Sequence, residues 1–211
     1  MMSLQPKRFP RRLPGQLAAA GFLVFLFSAA TAFGQSPHKA KTVDFEPMDT
    51  KRERGVPIRV YLPEENDARP VVLFSHGLGG SREGNPYLGN HWAGEGFVAV
   101  FIQHAGSDRN VMKNVPLRER FAALKGAASL KSARDRQSDV SFVLDRLEQW
   151  NRTENHPLFG KLDLERIGMS GHSFGAVTTL GVAGRKPLWG VKFEEPRIDA
   201  FLAMSPQPGK G

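Results

Sequence analysis

The pentapeptide Gly171-His172-Ser173-Phe174-Gly175 has the residue types and spacing best suited to covalent chemistry. Glycines two residues either side of a serine fit a tight turn from a strand into a helix, because they let the two elements pass closely without Cβ clashes. A short strand is predicted at 166–169 and a helix over 174–183. The turn would lift the serine hydroxyl clear of the sheet, so we predict Ser173 as a nucleophile.

The alternative interpretation of the same five residues is a serine that caps an ordinary helix. The strand before the motif and the helix after it favour the nucleophile. The first N–H groups of that helix, and the positive end of its dipole, would also face the position where an oxyanion forms.

A glycine-rich segment at residues 75–80 (SHGLGG) directly follows the apolar run at 71–74, which predicts a strand buried on both faces. Such a loop supplies a second backbone donor for an oxyanion, and glycine allows the chain to turn its N–H groups inward. The N–H groups of Leu78 and Phe174 are the expected pair. A plain β-turn is the alternative if Ser173 is not a nucleophile.

The six histidines of the chain all precede Ser173. His76, His104 and His172 are candidates to line the pocket, although structural hydrogen bonding is the simpler role for each. No histidine or acid shows tight metal-ligand spacing, so no metal site is expected.

Short β-rich runs alternate with helical patterns along the chain, which is typical of a mostly parallel sheet with helices on both faces. The predicted strands lie at 57–62, 71–74, 97–102, 166–169 and 200–204. Apolar residues recur at helical spacing between residues 132 and 151, so a long amphipathic helix is predicted there. These elements indicate an α/β fold.

Residues 1–34 have the pattern of an export signal. The segment carries Lys7, Arg8, Arg11 and Arg12 without any acid, and an apolar run at 17–32 follows. That run is shorter than the roughly 20 residues that span a bilayer, so we expect cleavage after Ala32 or Gly34 rather than a retained anchor. The mature protein is predicted to be periplasmic or secreted, without a stable membrane span.

The composition excludes several kinds of site and makes one kind of partner unexpected. The 211 residues contain no cysteine, which excludes disulfides, thiolate catalysis and cysteine-bound zinc. Half of the net charge of +8 belongs to the signal segment, and the remaining basic residues are scattered. A nucleic-acid partner is therefore not expected, and the oligomeric state is left open.

Three stretches, SHGLGGSR, FIQHAGSD and GHSFGAVTT, resemble the platelet-activating factor acetylhydrolase and dienelactone-hydrolase-like branch of the α/β-hydrolase superfamily. The resemblance covers roughly residues 56–206. It implies hydrolysis of a small-molecule or lipid ester through an acyl-enzyme, without a metal or organic cofactor. The nucleophile of the family corresponds to Ser173, and its oxyanion donors correspond to Leu78 and Phe174.

The sequence departs from that family after the nucleophile. The family orders its catalytic residues as serine, acid and histidine, but no histidine follows Ser173. Ser205 stands where the acid is expected, and Asp199 is predicted at the wrong end of its strand. We therefore expect a signal at 1–34, a lead-in at 35–55 and an α/β-hydrolase domain at 56–211 that is truncated after the strand following Ser173.

Two functions remain open at this point. One is a carboxylic-ester hydrolase whose base would lie in a missing C-terminal segment. The other is a catalytically inactive fragment or a non-catalytic binding protein with the same fold. The intact serine motif favours the first for the parent protein, and the absence of a downstream histidine favours the second for these 211 residues.

Overall fold

The computed structural model describes residues 39–185 and 193–206. The strands are β1 Lys41–Phe45, β2 Met48–Asp49, β3 Arg54–Gly55, β4 Ile58–Leu62, β5 Arg69–Ser75, β6 Val98–Ile102, β7 Leu162–His172 and β8 Ala200–Met204. The α-helices are α1 Pro86–Gly94, α2 Arg120–Ala127, α3 Leu130–Arg152 and α4 Phe174–Val182. Short 3-10 turns lie at Arg109–Met112 and Leu117–Glu119. The predicted export signal lies outside the described residues. In the part of the chain that the structure describes, no helix is both long and apolar enough to cross a membrane.

Six strands form one sheet in the order β1-β4-β6-β5-β7-β8. β1 pairs antiparallel with β4, and β4 pairs antiparallel with β6. The pairs β6–β5, β5–β7 and β7–β8 are parallel, so their carboxyl ends meet at one edge of the sheet. In the pairing of β5 with β7, Ser75 stands opposite Gly171. The ends of these two strands therefore bring the glycine-rich loop and the serine motif together.

The central strands form because both of their faces can be covered by apolar side chains. All five residues of β6 are buried, as are Val71, Leu73 and Phe74 of β5. On one face, these strands pack against α3 and α4. The buried residues of α3 recur at the predicted helical spacing, at Val140, Val143, Leu144 and Leu147. On the other face, α1 places Trp92 and Ala93 against Phe74 and Phe101. The predicted mostly parallel sheet with helices on both faces is confirmed.

The structure adds elements that sequence patterns did not predict. The lead-in segment contributes β1 to the edge of the main sheet, and it also contains the small β2–β3 hairpin. β7 extends over Leu162–His172, well beyond the predicted 166–169, because a shift in register between Pro70 and Val71 lets β5 pair along more of it.

Candidate active site

Ser173 lies in the turn between β7 and α4, with φ of 56° and ψ of −114°. Positive φ is uncommon for a residue with a side chain and marks backbone strain. The two flanking glycines make the turn feasible. A Cβ on Gly171 would overlap the carbonyl of Gly175, and a Cβ on Gly175 would overlap the carbonyl oxygen of Ser75. The glycines at these positions are therefore required by close backbone contact, as the sequence predicts.

The backbone around Ser173 leaves one donor available. The Ser173 N–H donates to the carbonyl oxygen of Met204, at the end of β8, over 2.9 Å. Phe174 is the first residue of α4, and the first N–H groups of a helix have no acceptor within the helix. Ser173 itself is half-buried. The Phe174 N–H thus lies beside an accessible serine at the positive end of the α4 dipole.

The glycine-rich loop after β5 packs against this turn. A Cβ on Gly77 would lie 3.6 Å from the Ser173 Cβ. The Gly79 N–H donates to the Ser107 carbonyl over 2.9 Å, and the Gly80 N–H donates to the Gly77 carbonyl over 3.1 Å. Among the described residues, no acceptor takes the Leu78 N–H. Leu78 and Phe174 therefore carry unengaged donors on the two segments that meet at Ser173.

His76 is buried beneath the loop, and both of its ring nitrogens have partners. Its Nε2 accepts from the His104 N–H over 3.1 Å, so its proton lies on Nδ1, which is 2.6 Å from the Gly77 carbonyl oxygen. Burial lowers the pKa of His76 well below its usual value, and the electrostatic interactions with His104 and with the positive charge of Arg136 act in the same direction. The ring is neutral and holds the loop.

His104 belongs to a buried chain of hydrogen bonds. Its Nε2 is 2.9 Å from the Ser75 Oγ, and its Nδ1 is 2.9 Å from the Asp139 carboxylate. Burial, followed by the positive charge of Arg136, lowers the pKa of His104 to about 4, so the ring is neutral near pH 7. Nδ1–H then donates to Asp139, and the Ser75 hydroxyl donates to Nε2. Ser75, His104 and Asp139 are each fully buried.

Asp139 is the anionic end of this chain. Arg54 donates to both of its carboxylate oxygens, over 2.8 and 2.9 Å, and Arg52 adds a bond of 2.9 Å. Burial alone would raise the pKa of Asp139, but the hydrogen bonds from His104 and Arg54 outweigh it and lower the pKa to about 2. The carboxylate is fully engaged by these donors. Within the described ranges, no group of three or more histidines and acids is placed to hold a metal ion.

No base is positioned at the Ser173 hydroxyl in the described part of the chain, where His76 and His104 are both engaged elsewhere. The side chain of His172 is exposed, and its Nδ1 would lie 3.5 Å from a Cβ on Gly77. A pocket-lining role for His172 stays a prediction. His76 and His104 lie under the loop, and such a role for them likewise stays a prediction.

Asp199 and Ser205 lie at opposite ends of β8. Ser205 follows the last residue of the strand, whose carbonyl binds Ser173. Asp199 precedes the strand at the opposite end, where its carboxylate accepts from the Ile167 N–H over 2.8 Å. Asp199 is thus committed to joining β7 and β8, far along the strand from the serine.

Sequence reasoning did not single out Ser75, Arg136 or Asp139. A signal for two of them was present in α3. Arg136 and Asp139 stand four residues before the apolar positions Val140 and Val143, so they fall on the buried face of the helix. Charged residues on an apolar face indicate a buried polar cluster. The partners of Arg136 and Asp139 in this cluster include side chains at the ends of neighbouring strands.

The sheet order, the serine turn after β7 and the glycine-rich loop after β5 together define the α/β-hydrolase fold. The solved structure of a ferulic acid esterase from Streptomyces cinnamoneus has this fold. It superimposes with a TM-score of 0.57 and 18% identity, over 84% of this chain and 63% of the esterase.

Sequence comparisons also find similarity to hydrolases. The model of the family described as platelet-activating factor acetylhydrolase, isoform II, matches residues 53–155, which include the glycine-rich loop, His104 and Asp139. The Bacillus subtilis protein named "Putative esterase YitV" is 30% identical over 139 residues, which are 64% of this chain and 48% of YitV. The chain therefore spans about half the length of this curated relative. Fold and sequence together show an α/β-hydrolase-like chain that resembles esterases.

Proposed function

We propose that the protein is a serine hydrolase that cleaves carboxylic esters of small molecules or lipids through an acyl-enzyme on Ser173. The observation that carries this proposal is the strained backbone of Ser173, which has φ of 56°. The glycines on either side of it have no room for a Cβ, because other backbone atoms pack closely against them. Strain of this kind persists only where the surrounding structure enforces it, and it is concentrated at functional sites.

The proposed reaction breaks the ester bond of the substrate, forms one ester bond in the acyl-enzyme and then hydrolyses it. The Ser173 Oγ attacks the carbonyl carbon while its proton passes to a base, and the N–H groups of Leu78 and Phe174 hold the oxyanion. The alcohol leaves with a proton, which gives an acyl-enzyme. Water then attacks the acyl-enzyme, releases the carboxylic acid and restores the serine hydroxyl.

The base is the part of the proposal that these residues do not supply. No histidine follows Ser173 in the sequence, and the rings of His76 and His104 already have two partners each. The proposed reaction therefore needs a base that is supplied in addition to these residues. Without it, the hydroxyl of Ser173 stays protonated near neutral pH and is a weak nucleophile.

We also propose that the protein is exported to the periplasm or secreted, on the basis of the basic and apolar pattern of residues 1–34. Mass spectrometry of extracytoplasmic material should then find a new N-terminus near Phe33 or Gln35. An intact Met1 in a soluble cytoplasmic fraction would contradict export.

The hydrolase proposal is tested with p-nitrophenyl acetate and the purified chain. We expect very slow release of p-nitrophenol, accompanied by an acetyl group that intact-mass and peptide analysis locate on Ser173. The Ser173→Ala variant should lose both signals. Release of p-nitrophenol that persists unchanged in Ser173→Ala would overturn the proposed nucleophile.

A further inference from the structure

Arg136 is a buried arginine of α3 whose charge is not paired directly. Its exposed fraction is 0%, and in the described part of the chain it makes no ion pair; Asp139 acts on it only electrostatically. Burying a charge without a direct partner is costly, so hydrogen bonds must compensate. The side chain of Arg136 is therefore held in place by specific acceptors, and their positions indicate what it does.

The acceptors of Arg136 lie mainly in and beside the glycine-rich loop. Nη1 donates to the His76 carbonyl over 2.8 Å, and Nη2 lies 3.2 Å from the His76 Nδ1 and 3.5 Å from the Gly77 carbonyl oxygen. Nε donates to the Ser107 hydroxyl over 2.8 Å, next to the carbonyl that binds the Gly79 N–H. One planar guanidinium thus binds the His76 carbonyl and also contacts the next peptide carbonyl of the loop.

The orientation of the Gly77 carbonyl determines the direction of the Leu78 N–H, because the two groups belong to one trans peptide unit and point in opposite directions. The Gly77 carbonyl accepts from the His76 ring over 2.6 Å, from the Gly80 N–H over 3.1 Å and from Arg136. These three donors draw the oxygen inward. The Leu78 N–H is consequently turned away from the buried cluster.

The same guanidinium contacts the second donor segment. Its central carbon lies 4.5 Å from the centroid of the Phe174 ring, within the range of a cation–π contact. Nη1 also lies 3.5 Å from the Thr178 Oγ1, one turn along α4. Arg136 therefore touches both the loop that carries Leu78 and the helix that begins at Phe174.

We propose that Arg136 is a positioning residue that orients the two oxyanion donors, the Leu78 and Phe174 N–H groups, relative to each other. The proposal rests on the hydrolase function proposed above. Arg136 acts through the backbone that it holds, and it does not touch the ester. Lysine cannot replace it, because a single ammonium lacks the planar set of donors that reaches three acceptors at once.

The test compares Arg136→Lys with the matched control Arg197→Lys, using a fluorophosphonate probe on the purified chain. Arg197 makes four carboxylate contacts with Glu195, Asp145 and Glu148, so its replacement reports general loss of stability. We expect Arg136→Lys to lower the maximal inactivation rate about 100-fold, the scale of losing one oxyanion donor. The probe concentration for half-maximal rate should change less than about 3-fold, and Arg197→Lys should leave both values near wild type.

The crystal structure of Arg136→Lys provides a readout that does not depend on activity. We expect the Gly77–Leu78 peptide to rotate or to take two orientations, while the sheet is unchanged. A wild-type rate together with an unmoved peptide would overturn the role of Arg136 and leave the hydrolase proposal intact. If the wild-type chain shows no labelling that depends on Ser173, the hydrolase proposal fails. An unmoved peptide in that case would also overturn the positioning role.

Discussion

Two serines at neighbouring strand ends differ in nearly every property that bears on catalysis. Ser75 is the last residue of β5, and its Oγ lies 2.9 Å from the His104 Nε2. The His104 Nδ1 lies 2.9 Å from the Asp139 carboxylate, and all three side chains are fully buried. We call these three residues and Arg136 the buried region. Ser173, just after β7, has no such partners in the described residues. It is half-buried and strained, and it lies beside two unengaged N–H groups.

Under the proposed function, a serine, a histidine and an aspartate in hydrogen-bonded series do not by themselves form a catalytic site. Ser75 is fully buried, and its hydroxyl contacts His104 and Arg136. Ser173 would have the features that are set by the backbone, namely an accessible position and two oxyanion donors, which account for much of the catalysis that remains when a triad is disabled. The base can be added from elsewhere, whereas the backbone geometry must be built into the fold.

The largest effect should come from completing the site around Ser173. If the gene encodes a histidine downstream of residue 211, the longer product should hydrolyse p-nitrophenyl acetate about 1000-fold faster or more, because the serine would gain an oriented base. Steady-state rates of the two chains measure this. As a control, replacing that histidine by alanine should return the rate to that of the 211-residue chain. Turnover by the 211-residue chain at roughly 1 s⁻¹ or more, abolished by Ser173→Ala, would contradict the need for a further base.

The second effect concerns Gly175, where the Ser173 turn contacts the strand end that carries Ser75. In Gly175→Ala, the new Cβ would overlap the Ser75 carbonyl oxygen, so we expect the free energy of unfolding to fall by about 3 kcal/mol or more. Urea denaturation measures the change. Gly126→Ala is the matched control, because nothing lies within 4 Å of its new Cβ and alanine favours the helix by about 1 kcal/mol. Equal stabilities for the two variants would show that the contact between the regions is loose.

The third effect is the pH dependence of stability that arises from the buried region. Burial and Arg136 hold the folded pKa of His104 near 4, below its usual 6.5. Between these pH values the unfolded chain binds a proton that the folded chain does not, so the free energy of unfolding should fall as the pH drops from 6.5 to 4. His104 contributes on the order of 3 kcal/mol to this fall.

Replacing His104 by asparagine should therefore flatten the pH profile of urea denaturation between pH 6.5 and 4. Part of the slope should remain, because the pKa of His76 is lowered for the same reason. The matched control is His91→Asn in α1, at an exposed position, which should keep the wild-type slope. Parallel profiles for wild type and His104→Asn would show that His104 is not held neutral.

The smallest effect should come from Ser75 itself. Ser75→Ala leaves the buried His104 Nε2 without its donor, which should cost about 1 to 3 kcal/mol of unfolding free energy. Ser138→Ala, at a half-buried position of α3, should change stability by less than about 0.5 kcal/mol. Ser75→Ala should still be labelled at Ser173 by a fluorophosphonate. Loss of labelling as complete as that in Ser173→Ala would reverse the assignment of the two serines.

The two regions also differ in how far the sequence predicts them. The Ser173 turn depends on local chemistry, since glycines at fixed spacing between a strand and a helix specify one backbone path. Its location, the glycine-rich loop and the central strands were all predictable. β1 was not, because the exposed edge strand Lys41–Phe45 lacks the continuous apolar run that marks the buried strands.

The buried region depends on long-range contacts, which is why sequence patterns did not predict it. Asp139 meets His104 across 35 residues and Arg54 across 85. Arg136 reaches the His76 carbonyl across 60 residues. Only the sheet order brings these segments together. Their position on the apolar face of α3 indicates burial, but it does not identify the partners.

Peptide mapping of the chain after treatment with a fluorophosphonate tests most directly which of the two serines is the nucleophile. The phosphonate should be found on the peptide that contains Ser173, and Ser173→Ala should carry none. The peptide that contains Ser75 should be unmodified in both proteins. A phosphonate on Ser75, or one that persists elsewhere in Ser173→Ala at the wild-type level, would contradict the account.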